Sequence, residues 1–187
     1  MLVADRTSDI LRAACKVICE RGSDRLRMSD VAAEAGVSSA LVHYYFETRA
    51  DLLARAFRFA DARVEAYVQE RLETCRTPIQ RVETVLATYL SDDDAVKESF
   101  IVWAEMLRHA IYDESLRPTV ADSYRTWIDQ VGTHLELLGI VEPEAAATRL
   151  CALVDGLGEQ MLVRDLGYEQ ARDLVRAAID QELTAAR

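Results

Sequence analysis

Apolar residues recur at intervals of three and four positions along most of the chain, a spacing that predicts α-helices with one buried face. The first stripe predicts a helix over about residues 7–21, and a longer stripe predicts one over about residues 48–74. Five further helices are predicted between Thr77 and Ala185, the first of them introduced by the capping-box sequence Thr77-Pro78-Ile79-Gln80. No stretch alternates apolar and polar residues over the length of a strand. Together with two short helices on either side of Gly36, the pattern predicts an all-α protein of about nine helices.

The segment from Arg27 to Leu53 contains those two short helices and the tight turn between them. The first begins near Met28 and ends at Gly36, because glycine adopts the left-handed conformation without steric cost. Ser38 is suited to cap the second helix by accepting a hydrogen bond from a backbone N–H. This order is typical of a helix-turn-helix, whose second helix enters the major groove of DNA.

The second short helix is predicted to have one buried and one exposed face. Leu41, Tyr45 and Phe46 are assigned to packing, because neighbouring residues on a helix point in different directions and cannot be equally buried. Small residues at its start let the helix sit deep in a groove about 12 Å wide. The face predicted to meet DNA carries Ser39, Ala40, His43 and Tyr44.

The run from about Ile10 to Leu53 resembles the N-terminal domain of the TetR family of one-component transcriptional regulators. The matching pieces are ILRAACKVICERG, DVAAEAGVS, HYYF and TRADLL, which occur together at the family's spacing. Three positions depart from the family pattern. Arg49 stands in place of the usual lysine, His43 in place of a tyrosine, and Ser39 in place of a frequent lysine.

The resemblance implies a helix-turn-helix DNA-binding domain over residues 1–50 and a larger helical ligand-binding and dimerisation domain over residues 51–187. It further implies a repressor that binds a palindromic double-stranded operator as a homodimer and is released by a small-molecule effector. Arg27 is either a phosphate contact or a solvated surface arginine. The residues predicted to contact DNA are Arg27, Ser38, Ser39, Ala40, His43, Tyr44 and Arg49.

The remaining 130 or so residues form a helical body. A DNA-binding head of about fifty residues does not need so large a body in order to fold, so the body has a function of its own to explain. Aromatic and apolar residues of its middle helices are candidates for an effector pocket, with His109 and His134 as further polar partners, although such residues are also typical of plain core. The ligand candidates are Arg63, Tyr67, Tyr89, Phe100, Trp103, Met106, Tyr124 and Trp127.

The last two long helices are the predicted dimer seam. Gly156 and Gly158 lie inside the first of them, where each glycine costs about 1 kcal/mol relative to alanine, and close helix approach would justify that cost. The alternative is that the same apolar residues pack within one monomer. The seam candidates are Leu153, Leu157, Met161, Leu174 and Ala178.

The formal net charge of −10 is unevenly distributed. Residues 1–50 hold seven basic and seven acidic residues, so the remaining 15 basic and 25 acidic residues account for the whole net charge. Neither a signal peptide nor an apolar run long enough for a bilayer is present, so no membrane association and a cytoplasmic location are expected. The four cysteines lack pairing or zinc spacing, and Cys15 and Cys19 are expected in the core.

Two other function classes are compatible with a helical chain. An enzyme is disfavoured because the sequence has no nucleophile elbow, HExxH motif or phosphate-binding glycine loop, and no cofactor or metal is called for. The other is a helical interaction protein that has lost DNA binding, with Ser39 and His43 as the marks of that loss. A steep dependence of binding on salt concentration distinguishes a DNA-binding protein from both.

Overall fold

A computed structural model describes residues 3–164 and 166–185, with the side chains of residues 3–5 left out. Within these ranges the chain forms nine α-helices, and the predicted all-α class is confirmed. Helix α1 begins at Val3, four residues before the predicted start. No proline or glycine lies between Val3 and residue 7 to interrupt the helix, so it extends beyond its apolar stripe. The helices are α1 (Val3–Arg21), α2 (Met28–Glu34), α3 (Ser39–Tyr45), α4 (Arg49–Leu72), α5 (Pro78–Thr88), α6 (Asp94–Tyr112), α7 (Arg117–Glu136), α8 (Pro143–Val163) and α9 (Tyr168–Ala185).

The turn between α2 and α3 is closed by backbone hydrogen bonds around Gly36. Gly36 has φ +66°, a left-handed conformation that favours glycine. The Val37 N–H donates to the Ala32 carbonyl at 2.9 Å, and the Gly36 N–H donates to the Ala33 carbonyl at 3.3 Å. These two bonds form a Schellman motif, which satisfies the last carbonyls of α2 and fixes the direction in which the chain leaves it.

The chain divides into two compact units. The N-terminal unit comprises the chain up to Arg63 together with Lys97–Val120. In it α1 packs on α2 and α2 packs on α3, with Ile10, Ile18, Val31, Val42 and Phe46 all less than 1% exposed.

The C-terminal unit comprises Val64–Val96 and the chain from Ala121 onward. Its core is one apolar cluster, to which the end of α4 and the helices α5, α7, α8 and α9 contribute. Leu86, Leu150 and Ile179 are among its largest fully buried side chains. These two units are defined by which residues pack together and not by function. The predicted division into functional domains at residue 50 therefore stays a prediction.

The two compact units differ in net charge. The C-terminal unit has 19 acidic and 9 basic residues and thus carries the entire net charge of −10, which leaves the N-terminal unit neutral. Within the described ranges, no helix combines the length and the hydropathy that crossing a bilayer requires.

Candidate nucleic-acid interface

The exposed face of α3 is held on a capped helix. Ser38 precedes the helix in an extended conformation, and its hydroxyl accepts a hydrogen bond from the Leu41 N–H at 3.2 Å. Ser38 itself is exposed, as are Ser39, Ala40 and His43 in the helix. The first turn of α3 therefore presents small side chains and free space to an approaching molecule.

The aromatic run at the end of α3 is divided between surface and core as the sequence predicts. Tyr44 is 80% exposed, whereas Phe46 is completely buried. Tyr45 is half-buried, and its ring meets the Tyr44 ring edge-on with centroids 5.2 Å apart. Val42 is also fully buried, so it anchors the helix beside Phe46.

Arg55 of α4 holds the end of α3, a role that its sequence context does not indicate. Its guanidinium donates to the Tyr45 carbonyl at 2.8 Å and lies over the Phe46 ring, 4.3 Å from its centroid. The carbonyls in the last turn of a helix lack partners within the helix, so a cation placed there is stabilising. Arg55 thus positions the helix predicted to meet DNA.

The two arginines predicted to contact phosphate lie at different helix starts. Arg27 is exposed and precedes α2, where its carbonyl accepts the first hydrogen bonds of that helix. Arg49 is the first residue of α4, and its guanidinium donates to the carbonyl of Ser23. A guanidinium has five N–H donors, so this bond leaves others for a phosphate.

Ser23, in the short 3₁₀ turn Ser23–Arg25 before α2, is completely buried and surrounded by polar groups of α6. Its N–H donates to the Glu105 carboxylate at 2.8 Å, and its hydroxyl donates to the same oxygen. The hydroxyl also lies 2.6 Å from Nε2 of His109. Arg108 completes the group by pairing with Glu105 at 3.2 Å and Asp24 at 3.0 Å. These residues, with Arg49, are called the Ser23 cluster below.

The Ser23 cluster favours an ionised Glu105. Burial raises the pKa of Glu105, but the hydrogen bonds from Ser23 and the Arg108 guanidinium outweigh it, so the pKa lies below its ordinary value. The carboxylate contacts the serine hydroxyl itself and not the histidine ring, so the trio lacks the relay of a hydrolase triad. Its role is to fix the turn that leads into α2.

The structure separates the predicted ligand residues into two groups. In the N-terminal unit, Phe100 and Met106 are buried, Trp103 is half-buried, and Arg63 pairs with Glu98 at 3.0 Å. The other four, Tyr67, Tyr89, Tyr124 and Trp127, belong to the C-terminal unit.

Three of those four gather at the core cluster of the C-terminal unit. The Tyr89 and Trp127 rings lie 4.6 Å apart, and Tyr124 donates to the Asp155 carboxylate at 2.7 Å. Burial, together with this hydrogen bond, raises the pKa of Tyr124, so the phenol stays neutral. The buried Nε1 of Trp127 has no hydrogen-bond partner among the described residues. His134, the other polar candidate of this unit, also has a buried, unpartnered Nδ1, and burial lowers its pKa.

The seam candidates differ in how far they reach the surface. Leu157 is only 4% exposed and contributes to the core of one chain, whereas Leu174 is 46% exposed. Leu153, Met161 and Ala178 are half-buried. Leu162 and Val163 at the end of α8 are not among the predicted seam residues, yet they are 42% and 80% exposed. Helix periodicity alone does not reveal them, because they lie outside the buried stripe of α8.

Burial controls the chemistry of the cysteines. It raises the pKa of Cys15, Cys19 and Cys151 to about 12 in each case, so these thiols stay protonated at neutral pH. Cys15 is buried as expected, and Cys19 is half-buried.

Comparison with known families accounts for both halves of this architecture. Residues 10–56 match the model described as bacterial regulatory proteins of the tetR family. Residues 78–184, more than half of the chain, match the model described as the C-terminal part of BetI-type transcriptional repressors. The chain belongs to the TetR family. It is a transcriptional regulator with a DNA-binding helix-turn-helix. The membership of this family confirms the prediction of a regulator in preference to an enzyme.

Individual members of the TetR family are similar to this chain over nearly its full length. The chain is 28% identical over 183 residues to the HTH-type transcriptional regulator BetI of Agrobacterium fabrum, covering 95% of this chain and 88% of that protein. A TetR-family regulator from Rhodococcus sp. superposes with a TM-score of 0.87 at 30% identity, covering 96% of this chain and 99% of that one. A transcriptional regulator from Saccharomonospora viridis, solved in complex with choline, superposes with a TM-score of 0.85 at 25% identity, covering 96% and 97%.

Proposed function

We propose that this regulator is a cytoplasmic, dimeric repressor whose α3 helix lies in the major groove of a palindromic operator and is withdrawn when a small-molecule effector binds. The observation that carries the proposal is the exposed face of α3, held rigidly between the Ser38 cap and the Arg55 contact. Residues 1–50 serve as the DNA-binding head and residues 51–187 as the dimerisation and effector domain.

Specific and general DNA contacts are assigned to different side chains. His43 and Tyr44 are exposed on α3 and carry hydrogen-bonding groups, so they are suited to base edges. Ser38, Ser39 and Ala40 allow close approach. Arg27 and Arg49 supply the positive charge for phosphates, which hold the protein in register but carry little sequence information.

The assignment predicts two kinds of loss. Arg27→Ala is expected to weaken binding to every duplex by a similar factor and to reduce the salt slope by about one, because it removes one phosphate contact. Tyr44→Ala or His43→Ala is expected to cost about 1–3 kcal/mol on the preferred sequence and less on others. Selection from a random DNA pool, followed by fluorescence anisotropy over a range of salt concentrations, measures both.

Arg76→Ala is the control, since Arg76 is an exposed arginine in the connection between α4 and α5. It is expected to leave DNA affinity unchanged. Equal losses on all sequences for the α3 variants would contradict base recognition by His43 and Tyr44. The absence of any salt-dependent binding would instead favour an interaction protein with a degenerate head.

Dimerisation is supported by exposed apolar side chains at the end of α8 and on α9. Leu162, Val163 and Leu174 are exposed there, next to the half-buried Met161 and Ala178. A two-fold seam at this surface would present two copies of α3 to half-sites about 34 Å apart, the spacing of one DNA turn.

For the effector we propose a small organic cation held by Tyr89, Tyr124, Trp127 and Asp155. Aromatic faces attract cations through their quadrupole, and a carboxylate adds direct charge complementarity. The Asp155 carboxylate is half-buried and already oriented by the Tyr124 hydroxyl. Support comes also from the Saccharomonospora viridis regulator, at 25% identity, which was solved with choline.

Choline is therefore expected to weaken operator binding by about 5- to 150-fold at saturation, the usual range of coupling between two sites. Asp155→Asn keeps an acceptor for Tyr124 but removes the charge, so it should raise the choline concentration needed for release at least about tenfold. Asp129→Asn, an exposed change on α7, serves as the control. Release at the same choline concentration in both variants would remove Asp155 from the effector site.

A further inference from the structure

A cleft of the C-terminal unit lies between the end of α4, helix α5 and helix α9, and none of its lining residues belongs to the aromatic group around Trp127. Its empty volume, including the open mouth, is about 610 Å³. Three arginines line it, Arg71 from α4 and Arg172 and Arg176 from α9, and Glu83 is the single carboxylate in the lining. The cleft thus has an excess of positive charge.

This excess stands out against the charge of its surroundings. The C-terminal unit holds 19 acidic and 9 basic residues, and its general field repels anions. Three of those nine cations nevertheless converge on one concave surface. Guanidinium groups arranged in this way match the geometry of carboxylate and phosphate oxygens.

Two of the guanidinium groups are held in place by aromatic rings. The Arg71 Cζ lies 4.3 Å from the centroid of the Tyr67 ring, and Arg71 also donates to the Tyr67 hydroxyl. The Arg172 Cζ lies 5.2 Å from the centroid of the Tyr168 ring. These cation–π contacts restrict the two guanidinium groups, which have further N–H donors, and so lower the entropy cost of binding an anion.

The present partners of these arginines are easily replaced. Arg176 is 3.9 Å from Glu83 and 3.6 Å from Asp173, and Arg172 is 3.5 Å from Glu169. Exposed ion pairs of this kind contribute about 0–1 kcal/mol. Arg71 has no carboxylate partner within 4.0 Å in the part of the chain that the structure describes.

Hydroxyl groups of α5 and the following loop complete the lining. Ser91 accepts a hydrogen bond from the Asp93 N–H at 3.1 Å, so its own O–H can point into the cleft. The Thr88 hydroxyl donates to the Thr84 carbonyl at 2.7 Å, and the Thr84 hydroxyl lies 3.2 Å from the Cys75 Sγ, so Ser91 supplies the hydroxyl donor of the cleft. The cleft therefore offers both charged and neutral donors.

We propose that this cleft is a binding site for a small oxyanion, a carboxylate or a phosphate, held chiefly by Arg71 and Arg172. The site shares no residue with the aromatic group proposed for the cationic effector. The regulator would thus bind an anion in this cleft in addition to the cationic effector proposed above.

Isothermal titration calorimetry of the full chain tests the proposal, with inorganic phosphate and succinate as separate probes and chloride used to keep the ionic strength constant. At least one probe is expected to bind saturably, and comparison of the two identifies the oxyanion class. The double variant Arg71→Gln/Arg172→Gln is expected to weaken that binding at least about tenfold, because charge-assisted hydrogen bonds are lost.

The matched control is Arg125→Gln/Arg164→Gln, which removes the same net charge from exposed arginines of the same unit outside the cleft. It should bind the probe like the wild type. Glu83→Gln removes the competing carboxylate and should strengthen binding several-fold, a gain that misfolding cannot produce. Equal weakening in both double variants, or no saturable binding of either probe by the wild type, would overturn the proposal. These titrations contain neither DNA nor choline, so their outcome is independent of operator binding and cation response.

Discussion

Val163→Glu is expected to convert the proposed dimer to a monomer and to weaken operator binding by about 100-fold or more. Val163 is 80% exposed at the end of α8, and Leu162 beside it and Leu174 on α9 are exposed apolar side chains as well. A two-fold seam brings the same patch of both chains together, so one substitution places two carboxylates at the interface. Losing the link between two heads removes an effective-concentration advantage of about 10²–10⁴.

Val141→Glu is a closely matched control for this result. Val141 has the same side chain and is 82% exposed, but it lies in the connection before α8. Analytical ultracentrifugation should show a dimer for Val141→Glu and a monomer for Val163→Glu, and anisotropy on a palindromic duplex should show the corresponding affinities. A dimer that survives Val163→Glu would place the seam on another surface.

Glu105→Ala is expected to lower the free energy of unfolding by about 1–3 kcal/mol, the cost of one buried donor left without a partner. The substitution removes the carboxylate that the Ser23 N–H and hydroxyl share; the hydroxyl keeps Nε2 of His109 at 2.6 Å as an alternative acceptor, so the N–H is the donor left without a partner. Ser23 is completely buried, so water cannot replace the lost acceptor without rearrangement. Urea unfolding at pH 7 measures the difference. Glu114→Ala, which removes an exposed surface partner of Arg117, should change stability by less than about 0.5 kcal/mol.

The effect of Glu105→Ala is expected to depend on pH in a defined direction. The folded pKa of Glu105 lies below its ordinary value, so the ionised carboxylate stabilises the fold fully at neutral pH. This contribution begins to decline near the ordinary glutamate pKa of about 4.3 and is lost as the pH falls through the lower folded pKa. The stability difference between wild type and variant should therefore narrow on acidification. If the stability difference between wild type and variant instead widened as the pH fell, Ser23 would favour the neutral form of the Glu105 carboxyl.

Local signals in the sequence predict the helix-turn-helix well, because they depend on residues within one or two turns of each other. Gly36 closes α2, and Ser38 caps α3. The capping box at α5 also forms, with the Gln80 N–H donating to the Thr77 hydroxyl at 3.3 Å and the Gln80 side chain accepting from the Thr77 N–H at 3.2 Å. These bonds require only neighbouring residues, so spacing is sufficient to find them.

Contacts between distant parts of the chain were not predictable in the same way. Ser23 and Glu105 are 82 residues apart, and neither has a sequence context that indicates the other. The ligand candidates were chosen for aromatic character, which does not distinguish core from pocket. The structure separates Trp103 from Trp127 by placing them in different compact units. The cleft lined by Arg71 and Arg172 was also missed, because its guanidinium groups come from helices about 100 residues apart in sequence.

The confinement of all net charge to the C-terminal unit bears on how the regulator searches a chromosome. A neutral N-terminal unit with few arginines near α3 forms only a small number of phosphate contacts, and the acidic unit is repelled by the duplex. We therefore expect random stretches of DNA to retain the protein only briefly. Most molecules are then expected to remain in free solution, where the proposed effector would reach them without first displacing them from bulk DNA.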